Sequence, residues 1–248
     1  MLKNTLMLLK LLGVTILISD CSKSDNMELC DSSALISMTK NICLSFEHDQ
    51  LTDVYRNIIE NKIVTGIVEI NSLMPIDDLR IRIVDDLQLV IPEIGIGGYN
   101  PDAHEVILAI DVNFNNIDET LEENVLSILA HEIHHAKRRR SVGYGNTLLQ
   151  AVVSEGLADH FSIEVSGITP PPWSVALEGD DLQNWIDEAS NSWHQPYNHS
   201  DWFLGTSIDI PRWAGYSIGF ELVKSYLASN QDRSASDLHN EPASSFEL

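Results

Sequence analysis

Residues 131–135 read HEIHH, with the apolar run ENVLSILA ahead of them and the basic run AKRRR directly behind. Leu121, Val125, Ile128 and Leu129 recur at helical spacing before the pentapeptide, which puts the histidines on a helix with one apolar face. There His131 and His135 stand one turn apart on the same side, a spacing that holds one zinc ion through two imidazole nitrogens. Glu132 points beside such an ion rather than at it. A carboxylate in that position takes a proton from water at the metal and hands it to a leaving group, which is the physical content of an HExxH pattern. His134, three residues after His131, either competes as a ligand or makes a structural hydrogen bond, and the second is expected. Thr120 and Glu123 form a capping-box pair that would open the helix. Lys137 to Arg140 suit its negative end as a solvated run.

A chance HExxH is expected in roughly two of a hundred shuffled sequences of this composition, so a third ligand has to be found. The stretch LLQAVVSEGLADHF supplies it. After the helix breakers Gly143 and Gly145, the residues Leu148, Leu149, Val152 and Val153 open a second helix. Two antiparallel helices joined by a short turn would return Glu155 to the metal. Asp159, four residues on and on the same face, would accept a hydrogen bond from the far nitrogen of a ligating histidine and fix its tautomer. The bland alternative for Glu155 is an exposed helix carboxylate. Gly156 beside it costs about 1 kcal/mol in a helix interior and marks close packing, which favours the ligand role. His160 reads as structural.

Elsewhere the chain divides by periodicity. Residues 33–45 and 49–63 carry helical spacing, and from 65 to 112 the β-branched runs IVTGIVEI, LRIRIV, LQLVI and EVILAIDV predict a small sheet. TPPPW at 169–173 ends the second metal helix and stiffens the chain into an extended segment. The segment WHQPYNHSDWFLGTSIDIPRWAGYSIGFELVKSYL holds a helix opened near Pro211 and Arg212, with Ile218, Leu222 and Val223 toward the core. The fold class expected is therefore α+β, with a small mixed sheet, a zinc-binding helix pair and a mostly helical C-terminal part.

At 248 residues the chain fits one folded unit, and 15 Lys+Arg against 37 Asp+Glu give a net charge of -22. That charge repels phosphate backbones, so no nucleic-acid partner is expected. The N-terminus reads as an export signal over residues 1–20. Lys3 supplies the positive region, LLKLLGVTILI the apolar one, and LISDCSKS ends it like a bacterial lipobox with Cys21 as the lipid acceptor. Asp20 departs from that pattern, which wants Gly, Ala or Ser there. Residues 21–32 then form a tether from the membrane, and 33–248 the folded domain. Cys30 and Cys43 remain as an even pair expected to bridge in an oxidising compartment.

HExxH, nineteen intervening residues, then Glu with Asp four later resembles the zinc site of thermolysin-type metallopeptidases, the gluzincins. A closer likeness is to the bacterial family of predicted zinc-dependent proteases, domain of unknown function 2268. It runs through LAHEIHHAKR, TLLQAVVSEGLADHF, PPW and IPRWAGYSIGFELV, over most of residues 65–230. The resemblance implies a zincin-like domain with Zn2+ held by His131, His135 and Glu155, Glu132 as the base, and Asp159 behind a ligand. It also implies that GIGGYNPDAHEVILAIDV supplies the edge strand of the cleft, where an extended peptide pairs; its glycines are equally consistent with a simple turn. The expected function is an exported, lipid-anchored metallopeptidase of the bacterial cell envelope acting on peptide or protein substrates. A zinc hydrolase of non-peptide amides or esters, and a non-catalytic zinc lipoprotein, are the alternatives. Candidates for the donor that stabilises the oxyanion are His194, His199, Arg212 and Tyr216. Tyr216, between Gly215 and Gly219, is the favoured one, with a core tyrosine as the competing reading.

Overall fold

A computed structural model describes residue 30 and residues 36–247. The expected signal sequence, the expected lipid acceptor Cys21 and most of the expected tether lie outside the described residues. Strands β1 (Ile36–Ser37), β2 (Ile42–Glu47), β3 (Leu79–Val84), β4 (Ile96–Asp102) and β5 (Glu105–Ile110) form one mixed sheet in the order β1-β2-β3-β5-β4. β2, β3 and β5 run parallel, with the helix α1 (Asp53–Leu73) as the crossover between the first two. β1 and β4 pair antiparallel at the edges. Along β3 the pleat sends Leu79, Ile81 and Ile83 into the core and Arg80 and Arg82 to the other face. There Arg82 bridges Glu47 and Glu105 on the two neighbouring strands, so one face is apolar and the other a charge ladder.

The apolar face packs on α1 and on α2 (Ile117–Arg139), and their shared core contains Ile59, Ile63, Ile67, Leu121, Val125 and Leu129. A second core joins α3 (Leu148–Ser166), α4 (Gly179–Ser190) and α5 (Ala214–Ser229) with the C-terminal turns. α3 and α5 cross where Gly156 and Gly219 meet: a Cβ on Gly156 would fall 2.9 Å from the Phe220 backbone nitrogen and closer still to the Gly219 carbonyl. The close packing expected at Gly156 is that crossing.

The α+β class holds, and several local readings do not. Residues 33–45, expected as a helix, contain β1 and the first part of β2, because ICLSFE is a short apolar run that periodicity alone cannot separate from a strand. IVTGIVEI, expected as a strand, continues α1; Ile59, Ile63, Ile67 and Ile70 recur at helical spacing and bury one stripe. LQLVI is loop apart from an isolated bridge between Ile91 and Ile96. The capping box at Thr120 is not formed: α2 starts at Ile117 after Asn116, whose carbonyl already accepts the Thr120 N–H. The basic run is not simply solvated either. Arg138 is buried and donates to the His239 and Glu241 carbonyls, tying the C-terminal segment to α2. Cys30 and Cys43, the pair expected to bridge, are neighbours. Burial first, then the adjacent Cys30, pushes the Cys43 thiol up to about 12.

Candidate metal centre

His131 and His135 project from α2, and α3 runs back beside them: Glu155 reaches His131 and His135, while Asp159, one turn further, reaches only His131. Rising numbers on α3 meet falling numbers on α2, so the pair is antiparallel. The His131 and His135 Nε2 atoms are 3.0 Å apart, and Glu155 Oε2 is 3.1 Å from the first and 3.4 Å from the second. All three residues are buried. Two imidazole nitrogens and a carboxylate oxygen converging in this way repel one another unless a proton or a cation stands between them, and the donor set is one that zinc takes. The residues present fit a zinc ion.

The outer atoms are also held. His131 Nδ1 lies 2.8 Å from Asp159 Oδ1, and Asp159 accepts hydrogen bonds from the Trp173 indole at 3.1 Å and the Ser174 hydroxyl at 2.6 Å. Ser154 Oγ is 3.2 Å from His135 Nδ1. The Tyr144 hydroxyl donates to the free oxygen of Glu155 at 2.5 Å. The far side of each donor is therefore anchored, which fixes ring tautomers and leaves Glu155 one oxygen for the metal. Burial would raise the Glu155 carboxyl, but the charges and hydrogen bonds of His135 and His131 outweigh it and hold it well below the usual carboxylate range. On Glu132 the balance goes the other way: burial prevails and raises the carboxyl against the pull of His131 and His135. Among the described residues His134 does not make the expected structural hydrogen bond: it is fully buried against Phe161, neither ring nitrogen has a partner there, and burial pulls the imidazole well below its ordinary range.

The open side of the three donors faces a cleft of two lobes, about 320 and 460 Å³ in volume, which meet at Gly98, His131, Glu132, His199 and Tyr216. Gly98 lies in β4, the edge strand, and a Cβ there would fall 2.8 Å from Glu132 Cδ and closer to its Oε1. IGGY is thus strand, and Gly95 closes the turn that leads into it at a positive φ. Tyr216 is half-buried at the junction of the lobes, its ring 5.0 Å from Phe203 and 6.3 Å from Trp173. Burial, then the charges of Glu155, Asp159 and Glu132, push its phenol well above the ordinary tyrosine range. Of the other donor candidates, His199 lines both lobes, Arg212 pairs with Glu93 at 2.6 and 3.2 Å, and the exposed His194 faces Glu247 at 3.6 Å, outside the cleft lining.

The sequence profile of a family described as a predicted Zn-dependent protease, domain of unknown function 2268, matches residues 57–247. The chain belongs to this family. The matched span contains both metal helices, the edge strand and α5, so every part of the cleft falls within the family domain. Searches of curated proteins and of solved structures find no match. Four residues at the family's metal centre escaped the sequence reading as site residues: Tyr144, Ser154, Trp173 and Ser174. Ser154 and Tyr144 carried a faint signal, one beside Glu155 and the other between two glycines in the turn that joins the metal helices.

Proposed function

We propose that this protein is a zinc metallopeptidase that cleaves peptide bonds at the His131, His135 and Glu155 centre. The observation that carries the reading is the place of Glu132, beside the three donors, against an edge strand, and at the junction of two lobes. A structural zinc site closes four protein ligands, whereas three ligands with an open side lined by a buried carboxylate suit hydrolysis. When bound, zinc supplies Lewis acidity that polarises the scissile carbonyl and acidifies water.

The protein's own residues do the rest. β4 has no strand on its outer side among the described residues, so an extended substrate adds there by main-chain pairing and is carried past Glu132. Glu132 removes a proton from the attacking water and delivers it to the departing amine; its raised carboxyl suits the return of that proton. Tyr216, kept protonated, donates to the carbonyl oxygen as negative charge builds on it. Asp159 and Ser154 keep the two imidazoles aimed inward. The larger lobe, with Ile91, Pro92, Trp173, Leu204 and Trp213, accepts an apolar side chain.

Incubating the purified protein with a diverse peptide library, with and without chelator, tests this, with ester and small amide substrates run in parallel. Chelator-sensitive peptide cleavage is expected. Turnover confined to esters or small amides would favour the non-peptide hydrolase, and no turnover of any substrate by zinc-loaded protein would favour the non-catalytic lipoprotein.

Export and lipidation at Cys21 complete the proposal, and place the domain on the bacterial cell envelope. Wild-type protein should partition into detergent and Cys21→Ser should not; a soluble wild type would overturn this part. Export would carry the neighbouring Cys30 and Cys43 into an oxidising compartment, where a bridge is expected and intact mass under non-reducing conditions reads it.

A further inference from the structure

The smaller lobe contains an arginine that makes no ion pair among the described residues. Arg139 sits in the last turn of α2, four residues after the ligand His135, and lines that lobe with Asn100, Tyr144, Tyr197 and His199. Its Nε donates to Asn100 Oδ1 at 2.6 Å and its Nη2 to the Asn100 carbonyl at 3.1 Å, both neutral acceptors. Among the described residues no carboxylate lies within ion-pair distance of it. Arg80, Arg82, Arg140 and Arg212 all reach one, and Arg212, in the other lobe, is gripped by both oxygens of Glu93. With 37 acidic residues in the chain, the missing partner does not reflect a shortage of acid.

Asn100 holds the fork from one side, and the guanidinium carbon stands 5.3 Å from the centre of the Tyr144 ring. The guanidinium is therefore fixed in place, with Nη1 making no hydrogen bond among the described residues, and Tyr144 links it to the metal centre through Glu155. Four residues of helix rise about 6 Å along the axis, and an extended peptide advances about 3.3–3.6 Å per residue. A group bound by Arg139 lies one or two residues from the scissile bond.

We infer that Arg139 is a specificity-determining residue that binds a substrate carboxylate in the smaller lobe. The inference rests on the peptidase reading and narrows its substrates to peptides with a carboxylate next to or one residue beyond the cleaved bond and an apolar side chain on the opposite side of it. The carboxylate comes either from the peptide C-terminus or from an Asp or Glu side chain. An arginine held by neutral oxygens pairs with such a group through charge-assisted hydrogen bonds, whereas Arg212, already paired, has little to offer.

The test measures binding rather than turnover, using zinc-loaded Glu132→Gln protein and calorimetry. One apolar-rich peptide is prepared as the free acid, as the C-terminal amide, and as the amide with one internal Gln replaced by Glu at successive positions. The acid or one of the Glu peptides should bind about tenfold to a hundredfold tighter than the neutral amide, the scale of a hydrogen bond to a charged group. Preference for the free acid identifies a C-terminal carboxylate, and preference for a Glu peptide identifies a side chain. Arg139→Gln should erase the preference and Arg139→Lys should retain part of it, with zinc content unchanged in both. Equal binding of all forms to Arg139-intact protein, which needs no variant to fold, would overturn the inference and leave the peptidase reading standing. So would a preference that survives in Arg139→Gln. If no peptide form binds, the peptidase reading falls and this inference falls with it.

Discussion

The backbone of Gly98 is pressed against the carboxylate of Glu132, so that a side chain of even one carbon would fall 2.8 Å from Glu132 Cδ. The edge strand and the Glu132 carboxylate share one space, and in the proposed mechanism the glycine keeps the strand close enough to present substrate to Glu132. Gly98→Ala should push the carboxylate aside and lower kcat by at least about tenfold, with zinc content near wild type, since the ligands are untouched. Unchanged kcat would mean that Glu132 works from another position.

Metal affinity should report the anchoring groups separately from the ligands. Glu155→Ala removes a donor and should nearly abolish zinc binding. Tyr144→Phe and Asp159→Asn leave all three ligands and should each weaken zinc about tenfold to a hundredfold in a chelator competition. Wild-type affinity in both would show that the metal site needs no support beyond its ligands.

Tyr216→Phe removes one hydroxyl from the junction of the lobes. If that hydroxyl meets the developing oxyanion, kcat falls by about tenfold to a thousandfold while zinc content and thermal stability stay near wild type. A variant with full kcat would assign Tyr216 to packing between Phe203 and Trp173 and move the donor role to His199, which lines the same lobes.

On the acid side, His160 gives a stability signature away from the metal. Its ring stacks on Phe220, Nε2 bonds the Phe220 carbonyl at 3.0 Å, and burial holds the imidazole below its ordinary range. A base depressed in the folded state contributes stability above its unfolded value near about 6.5, and that contribution is lost as pH falls toward the folded value. Denaturant midpoints measured from about pH 7 to pH 5 should therefore fall less steeply in His160→Gln than in wild type. Identical slopes would contradict this.

The metal centre was legible where its chemistry is written as spacing. His131, His135, Glu155 and Asp159 come from two helices whose periodicity fixes which side chains share a face, and the structure brings all four together. Residues that meet through long loops left less trace. Trp173 reaches Asp159 only because the prolines after α3 fold the chain back, and Arg138 is buried only because the C-terminal segment covers it. The misread elements share one cause. ICLSFE and IVTGIVEI are both rich in β-branched or apolar residues, and only tertiary pairing makes the first a strand beside β3 and the second a helix over the sheet. LQLVI failed for a related reason, since its apolar residues line the cleft instead of pairing in the sheet.

In the proposed mechanism hydrolysis turns on Glu132, and replacing it with glutamine keeps its shape while removing its basicity. The decisive measurement is cleavage of a peptide substrate, by mass spectrometry, for wild-type and Glu132→Gln proteins carrying equal zinc. The wild type should cleave, and Glu132→Gln should lose at least about a hundredfold in kcat with its zinc retained. Cleavage by Glu132→Gln at the wild-type rate would contradict the assignment of this centre as the site of reaction.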